Sequence, residues 1–271
     1  MTQYTLPGIK KASYDTCMLR FISAIIGITA TLFSTCAAQH IVLTKEQQSA
    51  TSTLSAWLSI PDRMDIHVFS SAEYELLVID NGDEGSKHPN LESAMTRHAC
   101  TAGINGGFFK DDRYSTPIGL LIENSAIISH LIRSGFIAAG VVYDTGADIR
   151  IERWQKLSTN TAAMKHAIQS GPFLIENGKI VNGLNNKKKA RRTFIATDSR
   201  GTWCIGCTSS LTLRELGEWL EQVTLPGGNR IQHALNMDGG SSSAYWDSTD
   251  STYSPSFKRV RNYIGIRPRK R

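Results

Sequence analysis

The chain lacks the short motifs that mark several large enzyme classes. Its 271 residues contain no Walker loop, no HExxH sequence and no Gly-x-Ser-x-Gly sequence. These absences argue against a P-loop nucleotide-binding enzyme, an HExxH metalloprotease and an α/β-hydrolase. The histidines show no metal-ligand spacing, so no metal site is predicted. No internal repeat is present, which argues against a repeat array.

The chain also lacks a continuous basic face, although its formal net charge is +6. Two short clusters, within residues 187–192 and 267–271, hold nine positive charges, and the remainder of the chain is slightly acidic. Neither a zinc-finger spacing nor an RNP-like aromatic motif accompanies these clusters. The basic character is therefore local, and binding of nucleic acid is not predicted.

The N-terminus has the pattern of an export signal. Lys10, Lys11 and Arg20 precede an apolar run over residues 21–33, and small residues follow it up to Ala38. This pattern predicts a signal peptide over residues 1–38 with cleavage after Ala38, because the run is short for a membrane span. A lipoprotein acylated at Cys36 is the alternative. We expect a periplasmic or secreted protein that meets the membrane only through its signal peptide or that lipid.

Cysteine is scarce, and cleavage after residue 38 leaves only Cys100, Cys204 and Cys207. An exported chain can hold one disulfide, which here would join Cys100 to either Cys204 or Cys207. The CxxC spacing of the last two falls in a predicted strand, without the helix N-terminus that lowers a thiol pKa. We therefore favour ordinary strand cysteines over a redox pair.

The hydrophobic pattern predicts one domain of the α+β class, with mixed, largely antiparallel β-sheets flanked by a few helices. Residues 39–62 are predicted to be an N-terminal extension, with a weak helical pattern over 54–58, that docks on the outside. Short β-rich runs between residues 118 and 154 have brief connections, which predicts an antiparallel meander. A helix with Thr212 as its N-cap is predicted near residues 211–220, and a basic tail at 268–271.

Two glycine-rich stretches share one order of residues. Alternating apolar and polar residues predict a strand ending near Asp238, followed by two glycines and three serines. In the other stretch, two glycines and then Phe108 and Phe109 follow Asn105. An amide and a carboxylate at such positions suit a polyhydroxyl ligand or an anion. The alternatives are an Asp-Gly hairpin turn and a turn with two core phenylalanines.

Two further sequence features are candidates for contact with the same ligand. Ser170-Gly171-Pro172 interrupts a strand, which often marks close approach of a ligand or another backbone. Arg192 stands at the mouth of the next strand, where a guanidinium group can hold a phosphate through two parallel hydrogen bonds. The neighbouring residues 187–189 are interpreted as solvated charge.

Taken in order, these motifs are more specific than any one alone. The resemblance is to the phosphodiester glycosidase family, and it is carried by Asn105-Gly106-Gly107-Phe108-Phe109, Ser170-Gly171-Pro172 with the predicted Asn177-Gly178 hairpin that follows it, Arg192-Thr193, the Thr212-Leu213-Arg214-Glu215-Leu216 helix and Asn236-Met237-Asp238-Gly239-Gly240-Ser241. The resemblance covers residues 63–267. One departure is that Ser241 stands where the family usually has a third glycine.

The resemblance implies a hydrolase that cleaves a sugar-1-phosphodiester at the anomeric C–O bond, on cell-envelope or extracellular glycans. The expected partner is a sugar-phosphate or polysaccharide substrate, and no cofactor is predicted. Whether the protein holds a structural calcium ion is left undecided by the sequence. The alternatives are a non-catalytic module that binds exopolysaccharide or cell-envelope glycan, and a metal-dependent phosphodiesterase.

The predicted catalytic residues are Asp238 and Arg192. Arg192 would clamp the departing phosphomonoester, and Asp238 would act as general base or stabilise an oxocarbenium-like transition state. Glu123 and Glu176 are the candidates for a second carboxylate. The predicted substrate-binding residues are Asn105, Gly106, Gly107, Ser170, Gly171, Thr193, Asn236, Gly239, Gly240 and Ser241.

Overall fold

A computed structural model describes residues 38–44, 62–157, 161–249 and 251–270. Nearly all of the predicted signal peptide and the helical pattern at residues 54–58 lie outside these ranges. Within them, no helix has the length and apolar character that crossing a membrane requires.

The described residues form seventeen β-strands and two α-helices. The strands are β1 (Gln39–Thr44), β2 (Arg63–Ser70), β3 (Tyr74–Asp80), β4 (Ala102–Asn105), β5 (Leu121–Glu123), β6 (Ala126–Ser129), β7 (Gly140–Asp144), β8 (Ile149–Arg153), β9 (His166–Ser170), β10 (Phe173–Glu176), β11 (Lys179–Ile180), β12 (Ala190–Thr197), β13 (Thr202–Leu211), β14 (His233–Asn236), β15 (Tyr245–Asp247), β16 (Thr252–Ser254) and β17 (Asn262–Pro268). The helices are α1 (Leu91–Arg97) and α2 (Leu213–Gln222).

The strands belong to three antiparallel sheets. The first sheet has the order β1-β2-β13-β12-β14-β10-β11, the second β16-β15-β4-β17-β3 and the third β6-β5-β9-β7-β8. The predicted α+β class, with largely antiparallel sheets and few helices, is confirmed.

Helix α2 covers one face of the first sheet, as its apolar stripe predicts. Leu213, Leu216 and Leu220 recur at helical spacing and are buried. Such burial contributes about 1.5–3 kcal/mol for each side chain. At the start of the helix, the Thr212 hydroxyl accepts a hydrogen bond from the Glu215 N–H (3.1 Å), and the Glu215 carboxylate accepts one from the Thr212 N–H (2.7 Å). This capping box confirms Thr212 as the N-cap.

Two expectations about the sheets are wrong. Residues 39–44 do not lie outside the fold, because β1 pairs with β2 over six residues and forms the edge of the first sheet. The strands between 118 and 154 do not make a simple meander, because β9 lies between β5 and β7. All five residues of β9 are buried, and its two edges pair with β5 and β7.

The three cysteines that the structure describes are free and buried. Cys204 and Cys207 are three residues apart in β13, so their side chains leave opposite faces of the sheet and enter different core clusters. Burial raises the pKa of Cys204 to about 12, which makes the thiol unreactive. The interpretation as ordinary strand cysteines is confirmed, and Cys100 forms no disulfide with either of them.

The ends of strands from all three sheets meet at one point. Strand β4 of the second sheet ends at Asn105, and β9 of the third sheet ends at Ser170. In the first sheet, β12 and β14 pair side by side with Phe194 opposite Asn236. Residues that are far apart in the chain therefore come together where the three sheets join.

Candidate functional site

The segment after β14 crosses from the first sheet to the second. Asp238 lies two residues beyond the end of β14, and the next strand, β15, pairs with β4 in the second sheet. The Asp-Gly hairpin interpretation is therefore wrong, because the flanking strands are not paired with each other. Residues 237–244 form a bridge between the two sheets, here called the Asp238 bridge, and the Asp238 carboxylate lies near its start.

The Asn105 side chain holds this bridge in place. Its Nδ2 donates to the Asp238 carbonyl oxygen (2.7 Å), and its Oδ1 accepts from the Thr193 hydroxyl (2.8 Å) and the Ala244 N–H (2.9 Å). The Asp238 N–H in turn donates to the Gly106 carbonyl oxygen (3.1 Å). One buried amide thus fixes both ends of the bridge and the strand that carries Arg192.

Asp238 is a half-buried carboxylate. Burial raises the pKa of its carboxyl group above the ordinary value, and three smaller effects act in the opposite direction. They are the Ser242 hydroxyl, which faces the carboxyl group without a well-aligned hydrogen bond, the positive charge of Lys258, and a hydrogen bond from the Gly239 N–H (2.9 Å). A carboxyl group with a raised pKa is a stronger base when it is ionised.

Of the two glycines after Asp238, the first packs closely against the backbone of β12 and the second faces open space. A Cβ on Gly239 would lie 3.0 Å from the Arg191 carbonyl oxygen and 3.7 Å from Arg192 Nη1. Gly240 has a φ of +64°, a left-handed conformation that glycine adopts without strain, and an added Cβ would meet nothing within 4 Å. Ser241 has no positive φ, so a serine fits this position without backbone strain.

Arg192 places a cation beneath this bridge. Its side chain is buried, with 9% of the residue exposed, and burial lowers its pKa without removing the charge. Nε donates to the Leu211 carbonyl oxygen (2.9 Å) and Nη2 to that of Lys188 (2.6 Å). Among the ion pairs in the described part of the chain, none includes Arg192. Because carbonyl oxygens do not neutralise its charge, the buried guanidinium is suited to an external anion.

The other predicted binding residues lie below the surface. The Ser170 hydroxyl donates to the Asn236 carbonyl oxygen (2.9 Å), and Asn236 Nδ2 donates to the Gly171 carbonyl oxygen (3.0 Å). These contacts join the third sheet to the first. Gly106 and Gly107 pack so tightly that added Cβ atoms would lie 2.0 Å from Asn262 Oδ1 and 2.9 Å from the Gln169 carbonyl oxygen, respectively. The structure thus gathers all the predicted residues, but among them only the Asp238–Ser241 segment has appreciable solvent-exposed surface, and Arg192 is buried next to it.

A family model described as phosphodiester glycosidase matches residues 98–267, which include Asn105, Arg192 and Asp238. The chain belongs to the phosphodiester glycosidase family. Membership supports a hydrolase of the phosphodiester glycosidase type.

Individual relatives of this phosphodiester glycosidase family member are distant. YigE, an uncharacterised protein of Escherichia coli K12, is 30% identical over an alignment of 139 positions, and the match covers 42% of this chain and 52% of YigE. The chain therefore spans about half the length of the curated relative that it matches. The catalytic domain of zebrafish N-acetylglucosamine-1-phosphodiester α-N-acetylglucosaminidase, auto-inhibited by its pro-peptide, superposes with a TM-score of 0.56 at 14% identity, covering 88% of this chain and 89% of that one. A hypothetical protein from Synechocystis gives a TM-score of 0.53 at 16% identity, with 75% and 59% coverage. These two likenesses show a shared fold.

The two carboxylates considered as partners of Asp238 have other contacts in this family member. Glu123 accepts a hydrogen bond from the Asp80 N–H (3.3 Å), and Glu176 forms an ion pair with Arg153 through both of its oxygens. Within the described residues, neither carboxylate forms a hydrogen bond or an ion pair with Asp238. A groove of about 300 Å³ on the third sheet, lined among others by His130 and Trp154, is also separate from the site residues.

Sequence reasoning missed the second cation beside the carboxylate. Lys258 lies between β16 and β17, and its Nζ is 4.6 Å from the centroid of the Phe109 ring. Its charge lowers the pKa of Asp238. The residue follows an exposed phenylalanine in an irregular segment, a pattern that gives no motif to recognise. Among the described residues, no three His, Cys, Asp or Glu side chains form a group that could hold a metal ion.

Proposed function

We propose that the protein hydrolyses sugar-1-phosphodiesters at the bond between the anomeric carbon and its oxygen, giving a free sugar and a phosphomonoester. The observation that carries this proposal is the buried Arg192 guanidinium, which has no carboxylate partner in the described residues and lies close to Gly239, the residue after Asp238. In a bound phosphodiester, the phosphate anion interacts with Arg192, and the electrophilic anomeric carbon lies on the side of Asp238. The family membership supports the same reaction type.

In the proposed reaction, Asp238 acts as the general base. The ionised carboxylate takes a proton from water, the water oxygen attacks the anomeric carbon, and the electron pair of the breaking C–O bond leaves with the phosphate. The raised pKa of Asp238 supports this role, because a base works best when its pKa is close to the working pH.

Arg192 acts on the leaving group. A phosphomonoester is already a stabilised anion, so its departure needs less proton donation than that of an ordinary alcohol and more positive charge close by. Hydrogen bonds to the carbonyl oxygens of Leu211 and Lys188 hold the guanidinium before substrate arrives. Electrostatic stabilisation of this kind is effective because the donor does not have to reorganise during the reaction.

Asn105, Thr193, Ser170 and Asn236 act as positioning residues in this proposal. Their side chains are buried and bonded to protein atoms, so they hold the Asp238 bridge and Arg192 in register. We also propose that the reaction takes place outside the cytoplasm on envelope or extracellular glycans, which the N-terminal pattern of residues 1–38 supports.

The test is a substrate panel with full-length protein. It pairs sugar-1-phosphodiesters, including one of N-acetylglucosamine, with neutral alkyl glycosides of the same sugars. We expect reducing sugar and phosphomonoester from at least one diester, no product from its neutral partner, and a loss of at least roughly 100-fold in Asp238→Asn and Arg192→Met. Binding of a saccharide without turnover, weakened by Asp238→Ala, would instead identify a glycan-binding module. Product formation that chelators abolish would favour a metal-dependent phosphodiesterase.

A further inference from the structure

The segment of residues 130–138, here called the third-sheet loop, connects β6 to β7 and is fixed at its base by a buried amide. Gln169 Oε1 accepts a hydrogen bond from the Ile132 N–H (3.0 Å), and Nε2 donates to the carbonyl oxygens of Ile132 (2.7 Å) and Ala138 (2.8 Å). Because both carbonyl oxygens contact one nitrogen atom, the backbone at Ile132 lies close to the backbone at Ala138. Residues 133–137 therefore form a short closed turn on a rigid base.

The tip of the third-sheet loop exposes large apolar side chains. Residues 132–136 are all exposed, and among them Ile132 is 37% and Phe136 51% exposed. Ile127 on the neighbouring strand β6 is 48% exposed. Three of the five large hydrophobic side chains that are exposed in the described residues thus belong to one edge of the third sheet. Single exposed apolar residues are ordinary, but a group of them marks an interaction surface.

The groove of about 300 Å³ on the third sheet lies beside this loop. It is lined by Ile127 from β6, by Leu131 and Arg133 from the loop, and by Trp154 and Leu157 from the turn after β8, among others. Its volume is at the lower end of the range for ligand pockets. Most of the lining side chains are aliphatic or aromatic, so the groove offers apolar surface to a hydrocarbon chain.

The charge of the loop and its surroundings is positive. Residues 124–143 contain no aspartate or glutamate, and Arg133 is the only arginine or lysine among them. Lys156 is exposed and directly follows two residues of the groove, Trp154 and Gln155. No ion pair among the described residues includes Arg133 or Lys156. An anionic lipid surface matches this combination, because its headgroups attract the cations and its hydrocarbon accepts the apolar side chains.

We propose that the third-sheet loop docks on an anionic lipid membrane, with Ile132 and Phe136 inserted among the lipids and with Arg133 and Lys156 against the headgroups. A membrane fits this surface better than a second copy of the chain does, because two copies would bring their unpaired cations together. The predicted export of the chain places it at the cell envelope. This contact is independent of the proposed reaction, and it is additional to the signal peptide or the lipid at Cys36.

The test is hydrogen–deuterium exchange of the full-length protein with two kinds of vesicle. One contains phosphatidylethanolamine and phosphatidylglycerol, and the other contains only phosphatidylcholine, which is neutral. The backbone N–H groups of residues 133–137 exchange several-fold more slowly with the anionic vesicles, because insertion removes them from water. The measurement is local, so binding through the apolar run at residues 21–33 does not produce this protection.

Variants of the loop change the lipid concentration that gives half-maximal protection. Ile132→Ser/Phe136→Ser raises it at least about tenfold, because two apolar side chains no longer leave water. Arg133→Gln raises it about fivefold, the effect expected for one cation at an anionic surface. Tyr114→Ser is the matched control, since Tyr114 is 57% exposed on a different loop, and it leaves the lipid requirement unchanged. Urea denaturation checks that each variant is folded.

Exchange that anionic vesicles do not slow, or protection that persists unchanged in Ile132→Ser/Phe136→Ser, would overturn membrane docking by this loop. Equal protection by the neutral and the anionic vesicles would refute the preference for anionic lipid. Protection that increases with protein concentration in the absence of lipid would also overturn the proposal, and it would identify a second copy of the chain as the occupant of this surface.

Discussion

The Asn105 amide is the strongest single point of support in the site, and its removal is expected to destabilise the protein. Asn105→Ala leaves three buried groups without their partner: the Asp238 carbonyl oxygen, the Thr193 hydroxyl and the Ala244 N–H. Each unsatisfied buried group costs about 1–3 kcal/mol, and partial relaxation reduces their sum, so we expect a loss of about 3–5 kcal/mol in the free energy of unfolding. Urea denaturation of both proteins measures this difference directly.

Asn185→Ala is the matched control. The Asn185 side-chain Oδ1 also accepts two hydrogen bonds, from the N–H groups of Lys187 (3.0 Å) and Lys188 (2.8 Å), but in an exposed turn where water can take its place. We expect a loss below about 1 kcal/mol there. If Asn105→Ala lost no more than this control, the argument that Asn105 holds the bridge would be refuted.

Three further perturbations test the electrostatics. Arg192→Lys is expected to recover little of the activity lost in Arg192→Met, because lysine cannot reproduce the planar fork; full recovery in kcat/KM would contradict a geometric clamp. Activity should fall on the acidic side with a midpoint above that of an ordinary aspartate, since the raised pKa of Asp238 means that its basic form is lost sooner as pH decreases; a pH–rate profile locates the midpoint. The third site is the buried Asp247 carboxylate, whose Oδ2 lies 2.6 Å from Nδ1 of the buried His67. Burial tends to raise the pKa of Asp247, but the hydrogen bond and charge of His67 lower it to about 2. Because the pKa of Asp247 is lower in the folded state than in the unfolded state, the interaction with His67 stabilises the protein fully above the unfolded-state pKa and less as the pH falls below it. Asp247→Asn should therefore cost about 2 kcal/mol of unfolding free energy at neutral pH and little near pH 2. A loss in urea denaturation that does not change with pH would contradict this interaction.

The sequence was informative wherever local chemistry decided the structure. The Thr212 cap, the apolar stripe of α2 and the Asn177-Gly178 turn between β10 and β11 follow from short-range rules, and all three are present. The residues near Asp238 and Asn105 were predicted through glycine pairs, which mark places where the backbone must come close to other atoms.

The remainder depends on contacts between distant residues. Placement of β9 between β5 and β7 is set by burial on both faces, which a strand-by-strand pattern does not reveal. Asn105 was predicted to bind substrate directly, but its amide is occupied by Asp238, Thr193 and Ala244, which lie 88 to 139 residues further along the chain. Lys258 was missed because its position depends on Phe109, which is far away in the chain.

The central claim is that the C–O bond on the anomeric side breaks, and oxygen-18 water tests it most directly. A phosphodiester substrate is hydrolysed in labelled water by the full-length protein, with Asp238→Asn alongside, and both products are analysed by mass spectrometry. The account predicts label on the anomeric oxygen of the released sugar and loss of activity in the variant. Label on the phosphate would contradict it, because water would then have attacked phosphorus.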